Sequence, residues 1–200
     1  MIKYLFIPFT ILLFSCKKNH VKDLILDEPN SESEIISHEK KLGSFKHETT
    51  YNGRPPKQGV NDSIPLEESI MFVDNKATPL PRKSKYYYNN EGEYKVIFHE
   101  WNLATPGLSL NKIDSLMATQ DGKIDWYYGQ FIKIANQITE RVGNPTSGEL
   151  GVNREKMEIM DFYKSEVEWK QTNRTIILKL YWVPKPGYKI YKIFATVYFN

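Results

Sequence analysis

A single cysteine in 200 residues excludes an internal disulfide and every cysteine-based zinc centre. Charge of one sign is also scarce. The 27 basic side chains are set against 24 acidic ones, a balance too even for a nucleic-acid binder, which needs a concentrated basic face. No Gly-x-Ser-x-Gly, Gly-x-Gly-x-x-Gly, phosphate-binding loop or His-Glu-x-x-His occurs, so the commonest hydrolase, dinucleotide, nucleotide and zinc-protease chemistries have no foothold. No catalytic residue and no cofactor is expected. The apolar run at residues 4–14 is too short to cross a bilayer, because about eleven residues rising about 1.5 Å each cover about half of a roughly 30 Å hydrocarbon core. Pro8 weakens even that helix.

What the N-terminus does contain is an export signal. Lys3, the apolar run and the small Ser15 before Cys16 have the order of a secretory signal peptide, residues 1–15. The stretch Leu13-Phe14-Ser15-Cys16 resembles the lipobox of bacterial lipoproteins, although Phe14 is larger than the residue usual at its position. The resemblance covers only this end of the chain. It implies that the leader is removed and that Cys16 becomes an acylated N-terminus, making the membrane a partner through a lipid anchor. Acyl chains contribute about 0.8 kcal/mol per buried methylene, and stable anchoring takes more than one chain. Lys17 and Lys18 read either as simple solubilising charge or as cations adding roughly 1 kcal/mol each beside anionic headgroups. The absence of Asp at position 17 implies, by the same resemblance, the periplasmic side of the outer membrane.

Residues 16–65 are expected to form a lipidated cysteine and a flexible polar tether. Within 17–65 eight basic and eight acidic side chains balance, and the brief apolar pieces Leu24-Ile25-Leu26 and Ile35-Ile36 bury too little surface to offset ordering entropy. Some fifty flexible residues reach roughly 40 Å. His20, His38 and His47 lie here at spacings that offer no rigid metal site, so no metal is expected.

Residues 66–200 are expected to form one α+β domain. The apolar run 69–73 comes first. Tyr86-Tyr87-Tyr88, the turn Asn89-Asn90-Glu91-Gly92 and the run 93–101 predict a hairpin. Ser109 caps a short helix bearing Ile113, Leu116 and Met117. Ile124, Tyr127 or Tyr128, Phe131, Ile134 or Ala135, Ile138 and Val142 recur at helical spacing, predicting a long helix with one buried face. Gly143-Asn144-Pro145 ends it with a left-handed cap. A brief helix is expected at 155–163. The β-prone runs 166–170, 175–183 and 188–199 then predict a three-stranded antiparallel meander. In it Ile176, Leu178, Leu180 and Trp182, with Tyr191, Ile193, Ala195, Val197 and Phe199, turn toward the long helix.

Three groups invite a chemical reading. Tyr86–Tyr88, Trp101, Trp126-Tyr127-Tyr128, Trp169, Tyr181 and Tyr198 are weighed as a stacking surface and expected mostly in the core. His99 is expected as an ordinary surface or edge histidine, unable to use its neighbour Glu100 because adjacent strand residues face opposite sides. Glu166 and Glu168 share a strand face about 7 Å apart, a separation that glycoside hydrolysis uses, and are expected as solvated charge. The resulting expectation is a tethered, non-catalytic domain binding an envelope protein or polymer. The alternatives are a hydrolase of envelope polymers using dispersed carboxylates and a domain that neutralises a toxic partner.

Overall fold

The computed structural model describes residues 24–47, 66–76, 80–103, 109–120, 122–148, 150, 163–185 and 188–200. The expected helix at 155–163 lies outside them apart from its final residue, which opens a strand. Helix α1 (Glu32–Leu42) is followed by strand β1 (Phe45–His47), β2 (Leu66–Asp74), β3 (Arg82–Asn89) and β4 (Tyr94–Trp101). Helices α2 (Leu110–Ala118) and α3 (Ile124–Val142) lead to β5 (Ser147–Gly148), β6 (Tyr163–Lys170), β7 (Arg174–Lys185) and β8 (Tyr188–Phe199). The strands form one sheet in the order β1-β2-β3-β4-β8-β7-β6-β5, with every neighbouring pair antiparallel. The chain is therefore α+β, with helix packed on the sheet.

The two halves of this sheet are meanders that meet at the centre. The β3–β4 hairpin closes on Gly92 (φ 80°), a backbone conformation that glycine adopts without steric cost. Asn89 Oδ1 accepts from the backbone N–H groups of Glu91 and Glu93, both at 3.0 Å, as an Asx turn does. At the other end β7 and β8 pair over their full length. Val96↔Tyr198 through Trp101↔Ile193 then zips β4 to β8.

Alternation along β7 and β8 sets one side against α3, as expected from their pattern. Ile176, Leu178, Leu180, Tyr191, Ile193, Ala195, Val197 and Phe199 join Tyr127, Phe131, Ile134, Ala135 and Ile138 in the main core. Tyr127 stacks on Tyr191 with ring centroids 4.3 Å apart, and Trp182 also stacks on Tyr191 at 5.9 Å. Two expected caps differ in detail. Ser109 precedes α2 without a side-chain cap bond. Gly143 has φ 93° and ψ −173°, an extended mirror-image backbone open essentially to glycine alone, not the left-handed helical cap.

The expected tether is corrected over residues 24–47, which are folded into the domain. Leu24, Leu26 and Ile35 sit in the main core. Ser31 Oγ accepts from Glu34 N at 3.3 Å, while Glu34 accepts from Asn30 N at 2.9 Å, a close variant of the capping box. Gly43 at φ 83° closes α1, with Ser44 N donating to Glu39 O at 3.0 Å, the bonding of a Schellman cap. Glu32 and Glu34 in the first turn and Lys40 and Lys41 in the last complement the helix dipole. Composition misled here because the only residues α1 buries fully are Ile35 and the charged Glu39, with Ile36 partly buried beside them. Removing one methylene is a sensitive check: Ile35→Val is expected to cost about 0.5–1.5 kcal/mol in chemical denaturation. A tether would lose nothing.

Candidate functional site

Two polar groupings carry the domain's chemistry, one sealed inside and one spread over the sheet's other face. Inside, α1 docks on β3 through Glu39, whose Oε2 accepts from Arg82 Nη2 at 2.7 Å and Ser44 Oγ at 2.6 Å, and whose Oε1 accepts from Tyr86 O–H at 2.6 Å. Arg82 also donates to Ser44 Oγ at 3.2 Å. The Arg82 and Glu39 side chains are 3% and 1% exposed, so the pair is desolvated. Burial by itself would raise the Glu39 pKa, but Arg82 and the Ser44 and Tyr86 hydrogen bonds outweigh it and hold the carboxyl below its ordinary value. Burial, reinforced by the same carboxylate, pushes the Tyr86 phenol well up.

His99 belongs to this interior, so the expectation of a surface or edge histidine is corrected. It is 0% exposed, because period two in β4 puts it on the same side as Ile97 and Trp101. Its Nδ1 lies 2.9 Å from Ser84 Oγ and its Nε2 lies 3.4 Å from the Ile25 carbonyl oxygen. A carbonyl only accepts, so Nε2 carries the proton and Nδ1 accepts from Ser84 O–H. Burial, with Arg82 and His38 adding to it against Glu39 and the Ile25 carbonyl, pushes the imidazole pKa down to about 3. A serine–histidine contact is thus present, but the serine is 1% exposed and the imidazole is a poor base. It positions strands and does not meet solvent.

The carboxylates weighed for hydrolysis are each set beside lysine. Glu100 lies on the opposite sheet face from His99, accepting from Asn102 and 3.4 Å from Lys192 Nζ. Glu166 is paired with Lys164, and with Lys179 at 3.2 Å. Burial raises its pKa, yet the two lysines outweigh it and keep the carboxyl below its ordinary value, the reverse of what a general acid requires. Glu168 accepts from Ser147 Oγ at 2.9 Å and lies 3.3 Å from Lys170 Nζ. Among the described residues no group of three or more His, Cys, Asp or Glu is placed to hold a metal ion. His20 and Cys16 lie outside the described residues.

Away from α1 and α3, the second sheet face combines aromatic rings with lysine. Tyr87, Val96, Ile177 and Tyr198 form a separate apolar cluster with Phe98 against it. Phe98 packs on Phe194 at 5.6 Å, and Phe194 stacks on Tyr181 at 5.1 Å. Lys83 faces Glu100 across the β3–β4 register, and Lys85 faces Phe98. Lys179 faces Phe194 across β7–β8. Partial burial is the largest influence on Lys83 and Lys85 and lowers both pKa values, with Glu100 opposing it and Lys192 reinforcing it. This face can stack on rings or planar groups and attract anions. Of the aromatics weighed from the sequence, Tyr86, Trp101, Tyr127 and Trp169 are core, Tyr87 and Tyr198 belong to this second face, and Trp126 is exposed on α3.

Sequence reasoning missed Glu39, Ser44, Arg82 and Ser84. The capping signature Ser31-x-x-Glu34 and Gly43 would have located α1, though nothing local marks Glu39 as inward. Among the described residues no helix is long and apolar enough to cross a membrane. Compared with known proteins, the chain matches no family model, no curated sequence and no solved structure.

Proposed function

We propose that this is a bacterial envelope lipoprotein, anchored through Cys16 to the periplasmic side of the outer membrane, whose domain binds another envelope protein or polymer without chemistry of its own. The observation that carries the reading is Leu13-Phe14-Ser15-Cys16 closing a short apolar run behind Lys3. Two features of the domain support it. Its Ser84–His99 and Glu39–Arg82 contacts are buried and closed to solvent, and its second sheet face offers Phe98, Phe194 and Tyr181 among lysines.

The native product's mass is expected to show residues 1–15 removed and acyl chains on Cys16. Cys16→Ser is expected to move the protein from the membrane to the soluble fraction. A native mass retaining Met1 with an unmodified Cys16 overturns the anchor. For the domain, a photo-crosslinking residue at position 194 is expected to capture an envelope component that the same residue at Asp125, on exposed α3 surface, does not. Turnover of cell-wall material by the purified protein overturns the non-catalytic reading.

A further inference from the structure

The corrected start of the folded domain changes how such an anchor would hold it. Residues 24–28 are strapped to one end of the molecule. Leu24 O accepts from Arg141 Nη1 at 2.6 Å, and Leu26 O accepts from Arg174 Nη1 at 2.5 Å. Asp27 pairs with Arg174, and Glu28 lies 3.7 Å from Lys95. Leu24 and Leu26, at 2% and 1% exposure, hold the arm down from beneath.

These partners mark a single end. Arg141 is in the last turn of α3, and Gln171 in the β6–β7 turn donates to Val142 O there at 3.1 Å. Arg174 pairs with Phe199 at the end of β8, and the β4 start, with the β3–β4 turn before it, lies beside Tyr198. The start of α3 is at the other end, where Tyr127 stacks on Tyr191. Tyr191 and Phe199 are eight residues apart along β8, or about 27 Å at about 3.4 Å per residue.

We infer that the membrane surface is the partner of the end built from the β3–β4 turn, the β6–β7 turn and the α3 C-terminus, with the strands pointing away from the bilayer. This rests on the proposed lipid at Cys16. Only residues 17–23 separate that cysteine from the first core residue. The eight Cα steps from Cys16 to Leu24 span at most about 29 Å, and random-coil statistics over that length would average about 16 Å. The domain is therefore held against the membrane, not at the roughly 40 Å that fifty flexible residues would give. Lys17, Lys18 and Lys22 fall in the gap, where anionic headgroups attract them. The aromatic and lysine-bearing sheet face then looks sideways, along the membrane plane.

The test uses full-length lipidated protein in vesicles of phosphatidylethanolamine and phosphatidylglycerol containing an acceptor-labelled lipid. Since Cys16 is the sole cysteine and carries the anchor, Asn90→Cys or Lys123→Cys provides a unique thiol for a donor dye. Both positions are exposed, Asn90 in the β3–β4 turn and Lys123 before α3. Energy transfer is expected to be several-fold stronger from position 90. A Gly/Ser spacer of about forty residues between Lys22 and Asp23, bringing the reach to roughly 38 Å, is expected to erase that difference. Equal transfer from both positions in protein whose mass confirms the lipid overturns this inference and leaves the anchor standing. A mass without lipid, with no vesicle binding, overturns the anchor and the inference together.

Discussion

Glu39→Gln is expected to destabilise the domain by about 3–5 kcal/mol, the cost of leaving a buried cation without its counter-charge. The variant keeps the shape of residue 39 and removes only the charge that faces Arg82 at 2.7 Å. Arg82→Met should cost a similar amount from the other side, because it strands the carboxylate. The double variant should lose clearly less than the two single losses together, since it removes both charges. Urea denaturation of the four proteins gives the coupling directly. Single losses below about 1 kcal/mol are what an exposed pair would show, and they would contradict the docking of α1 on β3. Hydrogen exchange should report the same event locally: in Glu39→Gln, α1 amides should open before those of β4 and β8 at the sheet centre.

Acidification should weaken the fold before the buried Glu39 carboxylate protonates. His99 is pushed down from an ordinary 6.5 to about 3 in the folded state, while the unfolded chain takes up that proton near 6.5. Between those values the unfolded state binds more protons, so the stabilisation is complete above pH 6.5 and falls as pH drops toward 3. One proton corresponds to about 1.4 kcal/mol per pH unit, so the loss between pH 7 and pH 5 should be about 2 kcal/mol. Glu39, also depressed, loses its contribution only as pH falls below 4.5, which keeps the window from 7 to 5 clear of it. His99→Gln should flatten the dependence in that window whatever its own effect at pH 7. An identical slope in parent and variant would mean that the imidazole takes up its proton in the folded protein as it does in the unfolded chain, and that the arrangement around Ser84 and Ile25 is wrong.

These two results bear on function because they concern the groups most easily mistaken for a catalytic centre. A serine beside a histidine, with a glutamate and an arginine near, has the ingredients of nucleophilic chemistry. In this fold they are spent on attaching a helix and an N-terminal arm to a sheet. The groups available to a partner are instead the rings and lysines on the other face, where Phe194, Tyr181, Lys83 and Lys192 are only half-buried.

How much of this was readable beforehand varies by element. The β3–β4 hairpin announced itself through Asn89 to Gly92 between two alternating runs, and α3 through apolar residues at intervals of three and four. Both signals are local, since each residue's orientation follows from its own backbone period. Residues 24–47 sent a weaker signal, because the arm buries alternate leucines in a stretch of three apolar residues and α1 docks partly through a carboxylate. The interior position of His99 was readable from Ile97 and Trp101, its neighbours at period two. Its partners were not.

From sequence alone came the local periods: which runs are strands, which is the long helix, and which side of β7, β8 and α3 faces inward. The reading of residues 1–16 as a leader and lipidated cysteine also rests there. Tertiary structure decided which strands meet at the sheet centre, that β1 and β5 extend its edges, and that residues 24–47 belong to the domain. It also decided that Glu39 finds Arg82 across 43 positions of chain. The physical reason is that side-chain direction is set by the backbone of a few adjacent residues, whereas strand adjacency and the neutralisation of a desolvated charge depend on groups brought together only when the whole core closes.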